Sequence, residues 1–145
     1  MAMLPATARE LLDSGPLAHM VTLNRDGSPQ VTCTWVTRDD DTLLIAVLTL
    51  RQKIANLRRD PRIVLSFAAP SKNAMGLTDY LVIHGQATIT EGGAAALLQE
   101  QAQRYMGPGV EFPDMDSPPP GYIVTVQIER IWDHIGSGGT WVPEV

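Results

Sequence analysis

The sequence predicts a mainly β (α+β) domain in which about six antiparallel strands close into a barrel and about three short helices lie against it. The apolar and β-branched segments are short and mostly follow one another through polar turns, as in an antiparallel meander. A closed barrel would also leave no sheet edge open to pairing with other chains. At 145 residues, with 44% hydrophobic and 19% charged residues, the whole chain (1–145) is predicted to form one globular domain.

The first half of the chain alternates strands with polar turns. Residues 6–14 have the apolar spacing of a short amphipathic helix, which a Gly-Pro pair ends. A tight Asp-Gly turn and the polar segment 38–41 then separate the next elements. The predicted strands of this half are 17–23, 29–37 and 42–48.

The second half contains the longer helices and strands. A helical stripe covers 50–59 and stops at Asp60, because the proline that follows disfavours helix there. A second amphipathic helix is predicted over 94–105, after two glycines. The loop 107–121 holds five of the eleven prolines. The predicted strands of this half are 63–68, 80–90 and 122–132.

Charge and composition exclude several function classes. The net charge of −5 argues against general binding to nucleic acid, and the longest apolar run, 43–48, is too short to span a membrane. A cytoplasmic location is therefore expected. Cys33 is the only cysteine, so it has no disulfide partner within the chain, and its mid-strand position predicts a buried small residue. The histidines and Cys33 lack metal-ligand spacing, which predicts no metal site.

Basic residues cluster where a predicted strand passes into a predicted helix. Five of the eleven basic residues fall between Arg51 and Arg62. The first N–H groups of a helix have no intrahelical partner and favour phosphate, and Arg51 and Lys53 add two cations at that point. Taken alone, the pattern fits a solvated helix face better than a binding site. Its neighbours along the chain change that interpretation.

The segment TLRQKIANLRRDP at 49–61 resembles the phosphate-binding signature of the pyridoxamine-phosphate-oxidase-like split barrels. GSPQV at 27–31 is similar to the turn before that family's second strand. PRIVLS at 61–66 and YLVIHGQA at 80–87 are similar to its later strands. These motifs stand in the family's order over about residues 8–90, and 123–133 resembles its closing strand. The resemblance implies a split β-barrel that works as a homodimer, with a cofactor groove at the subunit interface.

Within that family, NLRRDPR at 56–62 and the compact length look most like the reductases that use the deazaflavin coenzyme F420. F420 carries a phosphate and an oligoglutamate tail, and the charges of Arg58, Arg59 and Arg62 would suit that tail. FMN is the alternative cofactor, because Arg51 and Lys53 suit either phosphate. The C-terminal substrate-binding residues of the pyridoxamine-phosphate oxidases have no clear copy in this sequence, which disfavours a vitamin B6 substrate.

The resemblance also implies particular cofactor contacts. Arg51 and Lys53 would bind the phosphate, with Asn56 fixing the helix cap or contacting the same group. Tyr80 and Trp132 would approach from the partner chain. The contacts along the ring and at its edge would come from Gln30, Val31, Thr32, Thr34, Ala46, Val47, Leu48 and Thr49.

The implied function is hydride transfer from reduced F420 to a small unsaturated or conjugated organic substrate. The cofactor would supply the chemistry and the protein would hold and orient it. No catalytic side chain is predicted; His134 is a candidate proton donor, but solvent or the cofactor could fill that role. Substrate contacts are expected from the loops 71–79 and 107–121. The alternatives are an FMN-dependent oxidase or reductase and a non-catalytic protein that binds a flavin, F420 or haem.

Overall fold

One antiparallel sheet of eight strands organises the chain. The computed structural model describes residues 2–136 and, as backbone only, 140–142. The elements in chain order are α1 (Ala6–Asp13), β1 (Ala18–Leu23), β2 (Pro29–Thr34), β3 (Thr37–Asp39), β4 (Thr42–Val47), α2 (Gln52–Arg59), β5 (Arg62–Lys72), β6 (Thr78–Glu91), α3 (Ala94–Tyr105), β7 (Tyr122–His134) and β8 (Thr140–Val142). Seven strands follow the order β2-β1-β5-β6-β7-β4-β3, and β8 pairs with β7. The mainly β class, the antiparallel pairing and the three helices are confirmed.

The predicted strand 29–37 is wrong, because the structure divides it into β2 and β3. These two strands are consecutive in the chain but form the two ends of the sheet, so the backbone crosses from one edge to the other at Trp35 and Val36. Within the described residues β2 and β3 are not paired with each other. The predicted closed barrel of six strands is therefore corrected to an eight-stranded sheet that is not closed by a strand ladder. We call the gap between its two end strands, β2 and β3, the open seam.

A side chain of α3 occupies this seam. The N–H of Val36 donates to the hydroxyl of Tyr105 over 2.9 Å, and the same hydroxyl lies 2.7 Å from the carbonyl oxygen of Pro16. Burial raises the pKa of Tyr105, which keeps the hydroxyl protonated and able to donate. Polar backbone groups that have no strand partner at the crossing thus obtain a side-chain partner instead.

The core lies between the inner faces of β5, β6 and β7. Alternate residues of these strands are buried, as the two-residue period of a strand requires. Ile54 and Leu57 of α2 are buried as well. This packing fixes the start of α2 against the sheet. No helix in 2–136 or 140–142 is both long and apolar enough to cross a membrane, and the cytoplasmic location stays a prediction.

Candidate functional site

A groove of about 760 Å³ opens between β2, the end of β4 and the start of α2. This volume lies within the range of pockets that hold cofactors and other small molecules. One end of the groove is polar and positively charged, and the other is apolar and aromatic. The two ends are formed by different elements and have different chemistry.

The charged end lies where β4 leads into α2. Arg51 is the residue before the helix, has an extended backbone and makes no side-chain cap, and Lys53 is in the first turn. Both line the groove together with Gln52 and with Gln30 of β2. Burial, and then the charge of Arg51, lower the pKa of Lys53. An anion in the groove would offset both effects and would meet the free N–H groups of the first helical turn.

The basic cluster divides into paired and unpaired side chains. Arg62 lies 2.7 Å from the carboxylate of Asp60, and Arg58 lies 3.2 Å from that of Glu91. Arg51, by contrast, donates to the hydroxyl of Thr49 over 3.1 Å. Within the described part of the chain, neither Arg51 nor Lys53 has a carboxylate partner. Arg51 and Lys53 therefore line the groove without a carboxylate partner among the described residues, and an anion bound there can neutralise them.

Asn56 lies beneath the groove and is fully buried. Its amide nitrogen donates to Thr22 Oγ1 and Asn24 Oδ1, each over 3.0 Å, and its oxygen accepts from Gln52 Nε2 over 2.8 Å. Thr22 in turn donates to Gln30 over 3.3 Å. The side chain does not line the groove and makes no cap hydrogen bond. Instead it ties α2 to β1 and positions two glutamines of the charged end.

We expect Asn56→Leu to lower the free energy of unfolding by roughly 2 kcal/mol, because buried donors and acceptors lose their partner. Chemical denaturation in urea measures this loss. Ala55→Gln on the exposed face of the same helix is the matched control, with an expected change of less than about 0.5 kcal/mol. Equal stability of the two variants would contradict a positioning role for Asn56.

The residues predicted to contact the cofactor ring fall into two groups. Most of them line the groove, namely Gln30, Thr32, Thr34, Ala46, Val47 and Leu48. Val31 does not, and its side chain is 59% exposed. Thr49 is exposed beside Arg51. The hydroxyl of Thr32 is buried and has no hydrogen-bond partner among the described residues.

Tyr80 and Trp132 lie at the far end of the sheet from the groove. The indole N–H of Trp132 donates to the hydroxyl of Tyr80 over 3.1 Å, and the Tyr80 ring stacks on His134 at 4.7 Å. Ala46 pairs with Ile123 near the start of β7, whereas Trp132 is near its end. At about 3.3 Å per residue these positions are roughly 30 Å apart, so neither aromatic ring reaches the groove of its own chain.

Comparison with known proteins places the chain in a family. The pyridoxamine 5'-phosphate oxidase family profile matches residues 4–135. The chain belongs to this family. The predicted split-barrel fold class is therefore confirmed, apart from the open seam and the strand count. No protein of curated function matches the chain.

Several solved structures are similar to this family member. A structure described as an F420 reductase is 26% identical, with a TM-score of 0.74, and the match covers 88% of this chain and 98% of that one. A conserved hypothetical protein from Mycobacterium tuberculosis is 24% identical over 93% of this chain and 88% of that one, with a TM-score of 0.70. A heme binding protein from Mycobacterium smegmatis is 19% identical, with a TM-score of 0.66, over 99% of this chain and 60% of that one. The last two likenesses show the fold alone.

This pyridoxamine 5'-phosphate oxidase family member has groove residues that were not predicted. The unpredicted residues are Leu17, Cys33, Trp35, Gln52, Leu98 and Phe112. Gln52 stands inside the signature at a position where the signature specifies no residue type. Phe112 belongs to the loop 107–121, from which substrate contacts were expected, although the sequence did not indicate which residue of that loop would line the groove. Cys33 was predicted to be buried but is exposed, because it lies on β2, an edge strand of the sheet.

The ionisable side chains outside the groove were also compared with the geometry that a metal ion needs. No group of three histidine, cysteine, aspartate or glutamate side chains within 2–136 is arranged to hold a metal ion. Nδ1 of His134 is buried and has no hydrogen-bond partner in the described residues, but it lies in the Tyr80 stack, far from the groove. A proton-donor role for His134 in its own groove is therefore not supported by its position.

Proposed function

We propose that this family member is an F420-dependent reductase that passes a hydride from the reduced deazaflavin to a small unsaturated organic substrate. The single observation that carries the proposal is the pair Arg51 and Lys53 at the start of α2, inside a groove and without a carboxylate partner among the described residues. The 26% identical F420 reductase, matched over nearly its full length, supports the choice of cofactor.

The residues present fit a phosphate-bearing, flat cofactor. The Arg51 guanidinium can grip two phosphate oxygens, and the Lys53 ammonium supplies a compact charge. The buried Thr32 hydroxyl is an unused hydrogen-bonding group beside the groove. Gln30, Thr34 and the segment 46–48 would border the ring. When bound, the cofactor supplies the hydride chemistry, and the chain binds it, orients it and excludes water from it.

F420 and FMN share a phosphate but differ in the oligoglutamate tail. The ion pairs of Arg58 with Glu91 and of Arg62 with Asp60 occupy two of the arginines expected to meet that tail. Exposed ion pairs of this kind contribute less than about 1 kcal/mol, so tail carboxylates can replace them. FMN needs no such exchange, and that observation favours an FMN-dependent enzyme as the second candidate.

Titration of the purified protein with F420 and with FMN tests the proposal. Each cofactor's fluorescence changes on binding, which gives a Kd for each. We expect tighter binding of F420, followed by turnover of reduced F420 with conjugated organic substrates. Preference for FMN would assign the protein to the second candidate. Binding of neither would contradict both, and binding of F420 without turnover of any substrate would leave a non-catalytic carrier.

We also propose a homodimer in which Tyr80 and Trp132 of one chain complete the groove of the other. Their distance from their own groove supports this arrangement, and so does the exposed hydroxyl-indole pair they form. The partner would then lie against the seam side of the sheet, where Leu17 and Val31 are 51% and 59% exposed.

Mixed dimers test the shared groove. Lys53→Ala and Trp132→Ala should each bind F420 so much more weakly that, at an F420 concentration near the Kd of the wild-type protein, neither variant alone is appreciably occupied. Refolding the two variants together should restore about a quarter of the sites, because each mixed two-fold dimer contains one intact groove. The measurement is F420 binding capacity, with each variant refolded alone as the control. No restoration, or full binding by Trp132→Ala alone, would contradict the shared groove.

A further inference from the structure

The aromatic end of the groove is built from residues that the cofactor assignment does not use. Trp35, Phe112, Leu17 and Leu98 line this end. The Trp35 ring stacks on Tyr105, with centroids 5.2 Å apart and planes at 15°, and Phe112 tilts against it at 5.2 Å and 56°. Tyr105 is itself held by the seam hydrogen bonds. Trp35 is therefore fixed from behind by one ring and from the side by another.

Two glutamines of α3 hold the loop that carries Phe112. Gln99 donates to the carbonyl of Val110 over 2.8 Å and accepts from the N–H of Phe112 over 2.7 Å. Gln103, one turn later, donates to the same carbonyl and accepts from the N–H of Gly109, both over 2.7 Å. We call these four bonds the glutamine clamp. An irregular proline-rich segment is thus bound to a helix at the point where it borders the groove.

Charge separates this end from the cofactor end. Among the described residues that line the groove, the cationic side chains are Arg51 and Lys53, both at the start of α2. No charged side chain of the described chain lines the groove at Trp35 and Phe112. A charged ligand placed there would lose its hydration without gaining an ion pair, whereas a flat apolar ring would stack on the indole. The charged and the aromatic end of the groove are therefore suited to different ligand groups.

We propose that Trp35 and Phe112 form the substrate subsite, that it takes a flat uncharged ring system, and that the glutamine clamp sets its width. This inference rests on the proposed function for its role in turnover. The reduced deazaflavin would lose a hydride to one carbon of the substrate's conjugated C=C bond. Solvent would deliver a proton to the other carbon, so the substrate gains two electrons and two hydrogens. Trp35 and Phe112 hold the ring, and Gln99 and Gln103 are positioning residues.

Calorimetric titration at neutral pH with 2-naphthol tests the subsite, because this flat ring compound is uncharged at that pH and does not alkylate the exposed thiol of Cys33. The titration is run on the free protein and on protein saturated with oxidised F420. We expect binding in both cases. Phe112→Ala should raise the Kd of the probe by about tenfold because the ring contact is lost, and Phe112→Tyr should bring the Kd back to the wild-type value. F420 affinity should not change in either variant.

The clamp is tested with Gln103→Leu, which removes two of its bonds while keeping the side-chain size. We expect the Kd for the probe to rise by roughly fivefold to tenfold, with the F420 affinity unchanged and only a modest fall in the melting temperature from the lost hydrogen bonds. Glu100→Leu, on the exposed part of the same helix, is the matched control and should leave the probe's Kd unchanged. Unchanged probe affinity in Gln103→Leu would overturn the clamp's role.

Three results would overturn the subsite itself. The first is displacement of the probe by F420, which would mean that the aromatic end holds the cofactor ring. The second is probe affinity that does not depend on Phe112, and the third is no probe binding. The first result leaves the proposed function intact, because F420 still binds. Absence of F420 binding to the wild-type protein instead contradicts the proposed function, while the Phe112 dependence of the probe still reports on the subsite.

Discussion

Lys53→Ala is expected to raise the Kd for F420 by roughly 30- to 150-fold, which corresponds to about 2–3 kcal/mol for a lost hydrogen bond to a charged group. Lys53 is partly buried and has no carboxylate partner among the described residues, so an alanine leaves the phosphate without its compact charge. The measurement is the fluorescence titration with F420 at fixed salt. Lys72→Ala, an exposed lysine outside the groove, is the control and should change little.

The same interaction has a pH dependence of known sign. Burial and Arg51 lower the pKa of free Lys53 below its usual 10.5, whereas a bound phosphate favours the charged form. Affinity is therefore expected to fall as the pH rises through the lowered pKa, in a window below that of an ordinary lysine. The Lys53→Ala variant should lack this step. Unchanged affinity in Lys53→Ala would place the phosphate elsewhere.

Gly121→Ala is expected to reduce the free energy of unfolding by at least about 3 kcal/mol, through backbone strain and overpacking together. Gly121 has φ of +60°, and a Cβ there would lie 2.5 Å from the Cβ of Ala94 and 2.6 Å from the carbonyl oxygen of Val47. It thus joins the end of the proline-rich loop to β7 where β4 and α3 meet. Urea denaturation measures the loss.

Gly76→Ala separates the two causes. Gly76 has φ of +83°, but a Cβ there would meet nothing within 4 Å. Its expected cost is about 1 kcal/mol, from the left-handed backbone alone. If Gly121→Ala lowered the free energy of unfolding by no more than Gly76→Ala, crowding by β4 and α3 would not be the reason that a glycine is needed at position 121.

The sequence pattern predicted correctly those helices and strands that are determined by residues close together in the chain. The helix predicted over 94–105 has the same bounds in the structure, because its apolar stripe is clear and two glycines precede it. The strand predicted over 29–37 is wrong because alternation continues through Trp35 and Val36 while the backbone changes sheet edge. Alternation reports which face a residue shares, not which strand lies beside it. For the same reason it could not show that Cys33 is exposed.

The same distinction between local and long-range information applies to the two ends of the groove. Arg51 and Lys53 stand within one short signature, so sequence alone placed them together at the start of a helix. The aromatic end joins Trp35 with Phe112, from a loop far along the chain, and only tertiary packing brings these rings within 5.2 Å. The placement of Tyr80 and Trp132 in a partner's groove came from the family resemblance and stays a prediction.

The Tyr105 hydroxyl at the seam has a consequence for how the protein can accommodate ligands. A sheet closed by a strand ladder widens only if several cooperative backbone bonds break together. Here one side-chain hydroxyl joins the crossing segment to the chain before β1, and the same ring supports the indole that borders the groove. Any change in the position of α3 would therefore act on the seam and on the wall of the groove together, through a single side chain.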